Sequence, residues 1–120
     1  MKKDNLTAGK VYLVGAGPGD LGLITVKGME CLKLAEVVVY DRLVDERMLE
    51  GVRETAERIY VGKSREGHTL TQAGINQLLV EKALEGKTVV RLKGGDSFVL
   101  GRGGEEAETL VSHRIPFEVV

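Results

Sequence analysis

Four groups of residues in this chain are of types that do chemistry, and each stands where a strand-like run stops. Gly15-Ala16-Gly17-Pro18-Gly19-Asp20 places three glycines at alternate positions around a proline, a turn of fixed shape whose main chain another molecule can approach closely. Asp41 follows Val37-Val38-Val39-Tyr40, and Lys63 follows Ile59-Tyr60-Val61-Gly62. A carboxylate and an amine brought to one place can take and give protons. The fourth group opens at Gly94-Gly95-Asp96 and runs through Val99, Gly101, Arg102, Gly103 and Gly104 to Glu105 and Glu106, with five of the chain's 16 glycines between Gly94 and Gly104. Asp96 suits hydroxyl or ammonium donors better than phosphate, and Arg102 suits a carboxylate. Taken singly, a glycine pair is most often a turn, and Asp41 or Lys63 a solvated charge or a cap.

The elements that must position these groups alternate along the chain. Residues 1–9 read as a flexible lead, and Lys10-Val11-Tyr12-Leu13-Val14 as a buried first strand. A helix from Leu23 to Ala35 follows, with Leu23, Ile24, Val26, Met29, Leu32 and Leu34 on its apolar face and Gly28 tolerated inside it. Glu36 to Tyr40 is a second strand of the kind that a parallel sheet covered on both faces requires. A short helix around Asp45 to Val52 leads to a third strand, Arg58 to Gly62, and a polar loop from Ser64 to Leu70 holds His68. Thr71-Gln72 caps a helix that carries Ile75, Leu78, Leu79 and Ala83 on one face and closes at Gly86. Lys87 to Leu92 is the fourth strand, Glu105 to His113 a helix, and Pro116 to Val120 begins a fifth strand. This alternation predicts one α/β domain over residues 10–120, a five-stranded parallel sheet with right-handed crossovers and helices on both faces. In such a sheet the carboxyl ends share one edge, so the glycine runs, Asp41 and Lys63 converge on one crevice.

Composition narrows the classes. Seventeen basic residues against 18 acidic ones give no reason to expect a nucleic acid or an anionic membrane surface as partner. A single cysteine, Cys31, allows no internal disulfide and reads as a small buried apolar residue, with a reducing cytoplasmic setting as the default. Neither His68 nor His113 has a second histidine or cysteine at ligand spacing, so no metal site is expected. No apolar run reaches the length of a signal-peptide core or a membrane span.

Val11 to Asp20, Val39-Tyr40-Asp41-Arg42-Leu43-Val44, Val61-Gly62-Lys63 and Val89 to Glu106, in this order, resemble the tetrapyrrole methylases, and among them the uroporphyrinogen-III C-methyltransferases. Ser97 stands where that family usually has proline, and Leu100 where phenylalanine is common. The resemblance covers the family's N-terminal half. It implies a two-domain enzyme with the active site between the domains, the C-terminal domain being absent from this chain, and a strand order of 3-2-4-1-5.

It further implies that the enzyme transfers methyl groups from S-adenosylmethionine to uroporphyrinogen III, leaving S-adenosylhomocysteine and making precorrin-2 on the branch toward sirohaem and cobalamin. Pro18, Gly94, Gly95, Asp96 and Val99 would border the cofactor. Asp41 would be the proton acceptor, Lys63 the proton donor, and Arg102 and Glu105 would face the tetrapyrrole. A homodimer is implied for the full-length enzyme, and this half alone would be inactive. The chemistry suits these residues: a pyrrole carbon takes the sulfonium methyl and the ring must then lose a proton, so positioning and proton transfer are what the protein supplies. The alternative is a nucleotide-binding α/β domain of a dehydrogenase, with Gly15 to Gly19 on a pyrophosphate, although Asp20 occupies the position where the dinucleotide fingerprint has its last glycine. A scaffold of flavodoxin-like form would leave Asp41, Lys63 and Asp96 without a common role.

Overall fold

The computed structural model describes residues 9–15, 24–41, 44, 46–62, 70–94 and 103–120. Its elements are β1 (Val11–Gly15), α1 (Val26–Leu34), β2 (Val37–Tyr40), a 3-10 helix (Glu46–Gly51), β3 (Glu57–Tyr60), α2 (Gln72–Leu84), β4 (Val89–Lys93), α3 (Gly103–Ser112) and β5 (Phe117–Val119). The strands form one sheet in the order β3-β2-β4-β1-β5, and every pairing is parallel. This is the expected fold class and strand order. The lead and the loop holding His68 lie outside the described residues, apart from Gly9 and Leu70 at their ends.

Side chains of successive strand residues point to opposite faces, and each face has its own cover. Val11, Leu13, Val37, Val39 and Val89 pack with Ile75, Leu79, Val80 and Ala83 of α2 and Leu110 of α3. Val14, Val38, Val90 and Leu92 pack with Cys31 and Leu32 of α1 and Met48 of the 3-10 helix. Central strand β4 is buried along its whole length, including the charged Arg91 and Lys93.

Helix α1 departs from expectation at its face. Thr25 caps it, its hydroxyl accepting from the Gly28 amide at 2.9 Å, so the helix begins at Val26 rather than Leu23. Its buried stripe is Gly28, Cys31, Leu32 and the flanking Ala35, while Val26 and Leu34 are 79% and 64% exposed. Gly28 belongs to that stripe: a Cβ there would stand 3.0 Å from Ile24 Cγ1 and 3.1 Å from Val14 Cγ1, a tight fit, so glycine lets the helix lie close against β1. Helix α2 starts as expected, with Thr71 accepting from the Gly74 amide at 3.0 Å, and Gly86 follows its end at φ 83°, a conformation that favours glycine.

Short edge strand β5 is tied down by charge. Glu118 pairs with Lys10 at 3.1 Å and with Lys27 of α1. No helix among the described residues is long and apolar enough to cross a membrane.

The corrected face of α1 can be checked by two substitutions. Leu32→Ala, at a site with no exposure, should cost about 2–5 kcal/mol of unfolding free energy in urea titration. Leu34→Ala should stay within about 0.5 kcal/mol of the parent. Comparable losses would mean that Leu34 packs as Leu32 does.

Candidate functional site

The carboxyl ends of the inner strands are in step. Gly15 is level with Lys93, Tyr40 with both Leu92 and Tyr60, so Gly15, Asp41, Val61 and the Lys93-Gly94 step occupy one edge. Neighbours β1 and β4 send their chains to opposite faces. The connection from β1 runs through α1, on the side of Val14, Val38 and Val90, and the connection from β4 through α3, on the side of Leu13, Val39 and Val89. Between two such strands an open α/β sheet leaves a crevice at its carboxyl edge. The two glycine runs of the sequence begin from these two strand ends.

Beside that crevice lies a cluster of buried charge. Continuing the alternation of β2 and β4 puts Arg91, Lys93 and Asp41 on the face covered by α2 and α3. Glu106, in the first turn of α3, has no solvent exposure, and its Oε2 accepts from Arg91 Nε at 3.0 Å and from Gln72 Nε2 of α2 at 3.1 Å. Arg91 Nη1 also donates to the Leu92 carbonyl at 3.4 Å, and Gln72 Nε2 to Asn76 Oδ1 at 2.8 Å. The second carboxylate oxygen of Glu106, Oε1, is buried and accepts no hydrogen bond among the described residues, with Lys93 Nζ 3.9 Å away. Lys93 itself is 5% exposed. Burial pushes its ammonium below the ordinary lysine range, opposed by the Glu106 carboxylate, reinforced by the Arg91 guanidinium and opposed again by Asp41.

Of the residues singled out from the sequence, Asp41 stands half-buried at the end of β2, and Gly94 half-buried at the end of β4, one strand away. Glu105 is exposed in the first turn of α3, and the carboxylate that enters the protein is that of its neighbour Glu106. Pro18, Lys63, Gly95, Asp96, Val99 and Arg102 lie outside the described residues. Sequence reasoning gave no role to Arg91 or Lys93. The available signal was two cations at alternate positions in an otherwise apolar strand, which places both on one covered face. Tyr40 and Tyr60 close the β3 side of the edge, their ring centroids 5.5 Å apart and tilted by 57°.

A polar cleft lined by Glu36, Arg53, Thr55, Glu57 and Lys87 lies at the opposite, amino end of the sheet. Two of its side chains are engaged in holding chain connections: Arg53 donates to the Leu34 and Ala35 carbonyls, and Glu36 accepts from the Thr88 amide. The carboxyl edge is therefore the better candidate.

With the geometry in hand, comparison with solved structures defines the class as an α/β methylase. The chain superposes at a TM-score of 0.78 and 52% identity on uroporphyrin-III C-methyltransferase of Thermus thermophilus complexed with S-adenyl homocysteine, covering 93% of this chain and 44% of that one. The chain belongs to the tetrapyrrole (corrin/porphyrin) methylases, whose family model matches residues 10–120. It is 60% identical over 117 residues to a siroheme synthase of Nitrosomonas europaea, covering 98% of this chain and 25% of the relative. It is 59% identical over 112 residues to a uroporphyrinogen-III C-methyltransferase of Methanocaldococcus jannaschii, covering 93% of this chain and 46% of the relative. The chain thus spans between a quarter and half of the length of these proteins.

The position of Lys93 sets a sign for pH dependence. Its folded form holds a proton less tightly than an unfolded lysine at 10.5, so the burial penalty is present in full at neutral pH and is relieved as pH rises from the folded midpoint toward 10.5. Lys82 works the other way: its hydrogen bond to Glu57 raises its proton affinity, so its contribution is present below 10.5 and lost as pH rises through the folded midpoint. The difference in unfolding free energy between the parent and Lys93→Met isolates the first effect. It should move in the parent's favour as pH approaches 10.5, and a flat difference would contradict the burial of a charged Lys93.

Proposed function

We propose that residues 10–120 are the N-terminal half of an S-adenosylmethionine-dependent methyltransferase that converts uroporphyrinogen III to precorrin-2, on the branch toward sirohaem and cobalamin. The observation that carries this reading is the crevice itself: adjacent parallel strands β1 and β4 end at Gly15 and Gly94 and are followed by helices on opposite faces of the sheet, with Asp41 one strand away on the same edge. The charge of that edge also fits the cofactor. Arg91 and Lys93 are balanced by Glu106 and Asp41, so the described residues present no excess of positive charge to repel a sulfonium or to draw in a pyrophosphate. This balance, like Asp20 in the first glycine run, disfavours the dinucleotide reading.

S-adenosylmethionine, when bound, supplies an activated methyl group. Pro18, Gly94, Gly95, Asp96 and Val99 border it in this proposal, the glycines admitting it close to the main chain. Asp41 takes up the proton that the methylated ring releases, and Lys63 returns one. Arg102 and Glu105 face the tetrapyrrole, Arg102 as a bidentate partner for a substrate carboxylate. A second domain closes the site, the full-length enzyme is a cytoplasmic homodimer, and residues 1–120 alone fold but transfer no methyl group. The Thermus thermophilus relative, solved with S-adenyl homocysteine, supports the choice of cofactor.

Calorimetric titration of the full-length protein with S-adenosylhomocysteine and with NAD separates the two cofactor readings: the proposal requires the first to bind and the second not to. In the same protein, Asp41→Asn and Lys63→Met should lower kcat by roughly 100- to 10,000-fold while leaving S-adenosylhomocysteine affinity nearly unchanged. Near-normal turnover in both variants would reduce these residues to strand-end charges.

A further inference from the structure

We propose that Glu106 is a positioning residue for the cofactor, acting through a buried ionic clamp that ties the carboxyl end of β4, at Lys93-Gly94, to the first turn of α3. The inference rests on the reading that Gly94 borders S-adenosylmethionine. Arg91 and Lys93 are the third and fifth residues of central strand β4, and Glu106 is buried in the first turn of α3. The Arg91–Glu106 pair at 3.0 Å therefore joins α3 to the end of β4, and Gln72 of α2 adds a third element at 3.1 Å. Lys93, directly before Gly94, faces the remaining oxygen of the same carboxylate at 3.9 Å.

Stability alone does not account for this arrangement. Burying an ion pair costs desolvation, and apolar residues of similar volume in its place are often neutral or stabilising. The rest of β4 is valine and leucine, and apolar side chains would fill the Arg91 and Glu106 sites among the same neighbours. Charged groups differ from apolar ones in direction: a carboxylate that accepts from a guanidinium and an amide at once has one orientation, whereas an apolar contact slides. Among the described residues the buried Oε1 accepts no hydrogen bond, yet Lys93 Nζ lies 3.9 Å from it, so each oxygen of the carboxylate is within ion-pair distance of a cation of β4. A site whose main chain contacts its ligand depends on such placement, because displacement by about 1 Å can cost on the order of 100-fold.

The test uses the full-length enzyme carrying these residues, its Glu106→Gln variant, and the apolar variant Arg91→Met/Lys93→Met/Glu106→Leu, which replaces the three buried charges together so that none is left without a partner. Far-ultraviolet circular dichroism and thermal unfolding report folding, and calorimetry with S-adenosylhomocysteine reports the cofactor site without turnover. The clamp predicts that the apolar variant unfolds no earlier than the parent yet binds S-adenosylhomocysteine about tenfold or more weakly, with Glu106→Gln losing affinity in the same direction. If Glu106→Gln does not fold, the apolar variant decides alone. Parental affinity in a folded apolar variant would overturn the inference and leave the functional proposal standing. A parent that does not bind S-adenosylhomocysteine would overturn both.

Discussion

Two cations in the middle of a fully covered strand impose a condition that much of the structure satisfies. Arg91 and Lys93 point to the face of β4 that α2 and α3 cover, and a charge in such a place costs several kcal/mol unless an opposite charge meets it with good geometry. Glu106 meets it from α3 and Gln72 completes it from α2. The requirement fixes how α3 starts relative to the sheet. Among the described residues the other face holds no buried charge. There Gly28 allows α1 to lie against Val14, and packing is a matter of shape.

The division between the faces is also a division of labour. The α1 side, with Leu32, Met48 and Cys31 among the valines of the sheet, is an apolar core whose contribution is area removed from water. The α2 and α3 side is apolar toward the amino end, at Val11, Val37 and Val89, and becomes ionic toward the carboxyl end, at Arg91, Lys93 and Asp41. Polarity thus rises along the strands toward the crevice between β1 and β4, where the connections part. The opposite edge carries charged residues too, but Arg53 and Glu36 are spent on the carbonyls and amides of chain connections.

What could be read from the sequence follows from these forces. Strands covered on both faces favour apolar residues, so β1 and β2 stand out as runs and β4 as a run interrupted by Arg91 and Lys93, and their alternation with helices gives a parallel sheet. The strand order came with the family resemblance, since periodicity carries no information about neighbours. The apolar pattern of α1 does not mark its buried face, because Val26 and Leu34 are apolar yet exposed, while two of the positions that pack, Gly28 and Ala35, are small. A count of hydrophobic residues does not register close approach. Glu105 and Glu106 are adjacent on a helix and therefore about 100° apart, and only the docking of α3 decides which one is buried. Arg91 and Lys93 look like surface charges until the sheet places β4 at its centre, with partners supplied from elements distant in sequence.

In the proposed reading the cofactor binds at the carboxyl edge between β1 and β4. Amide chemical shifts followed during titration of the isotope-labelled full-length protein with S-adenosylhomocysteine locate it directly. The perturbed amides should cluster at Gly15, Asp41, Lys93 and Gly94, with the amino end of the sheet unmoved. Perturbations centred on Glu36, Arg53, Thr55, Glu57 and Lys87 would place the ligand in the cleft at the other end and contradict it.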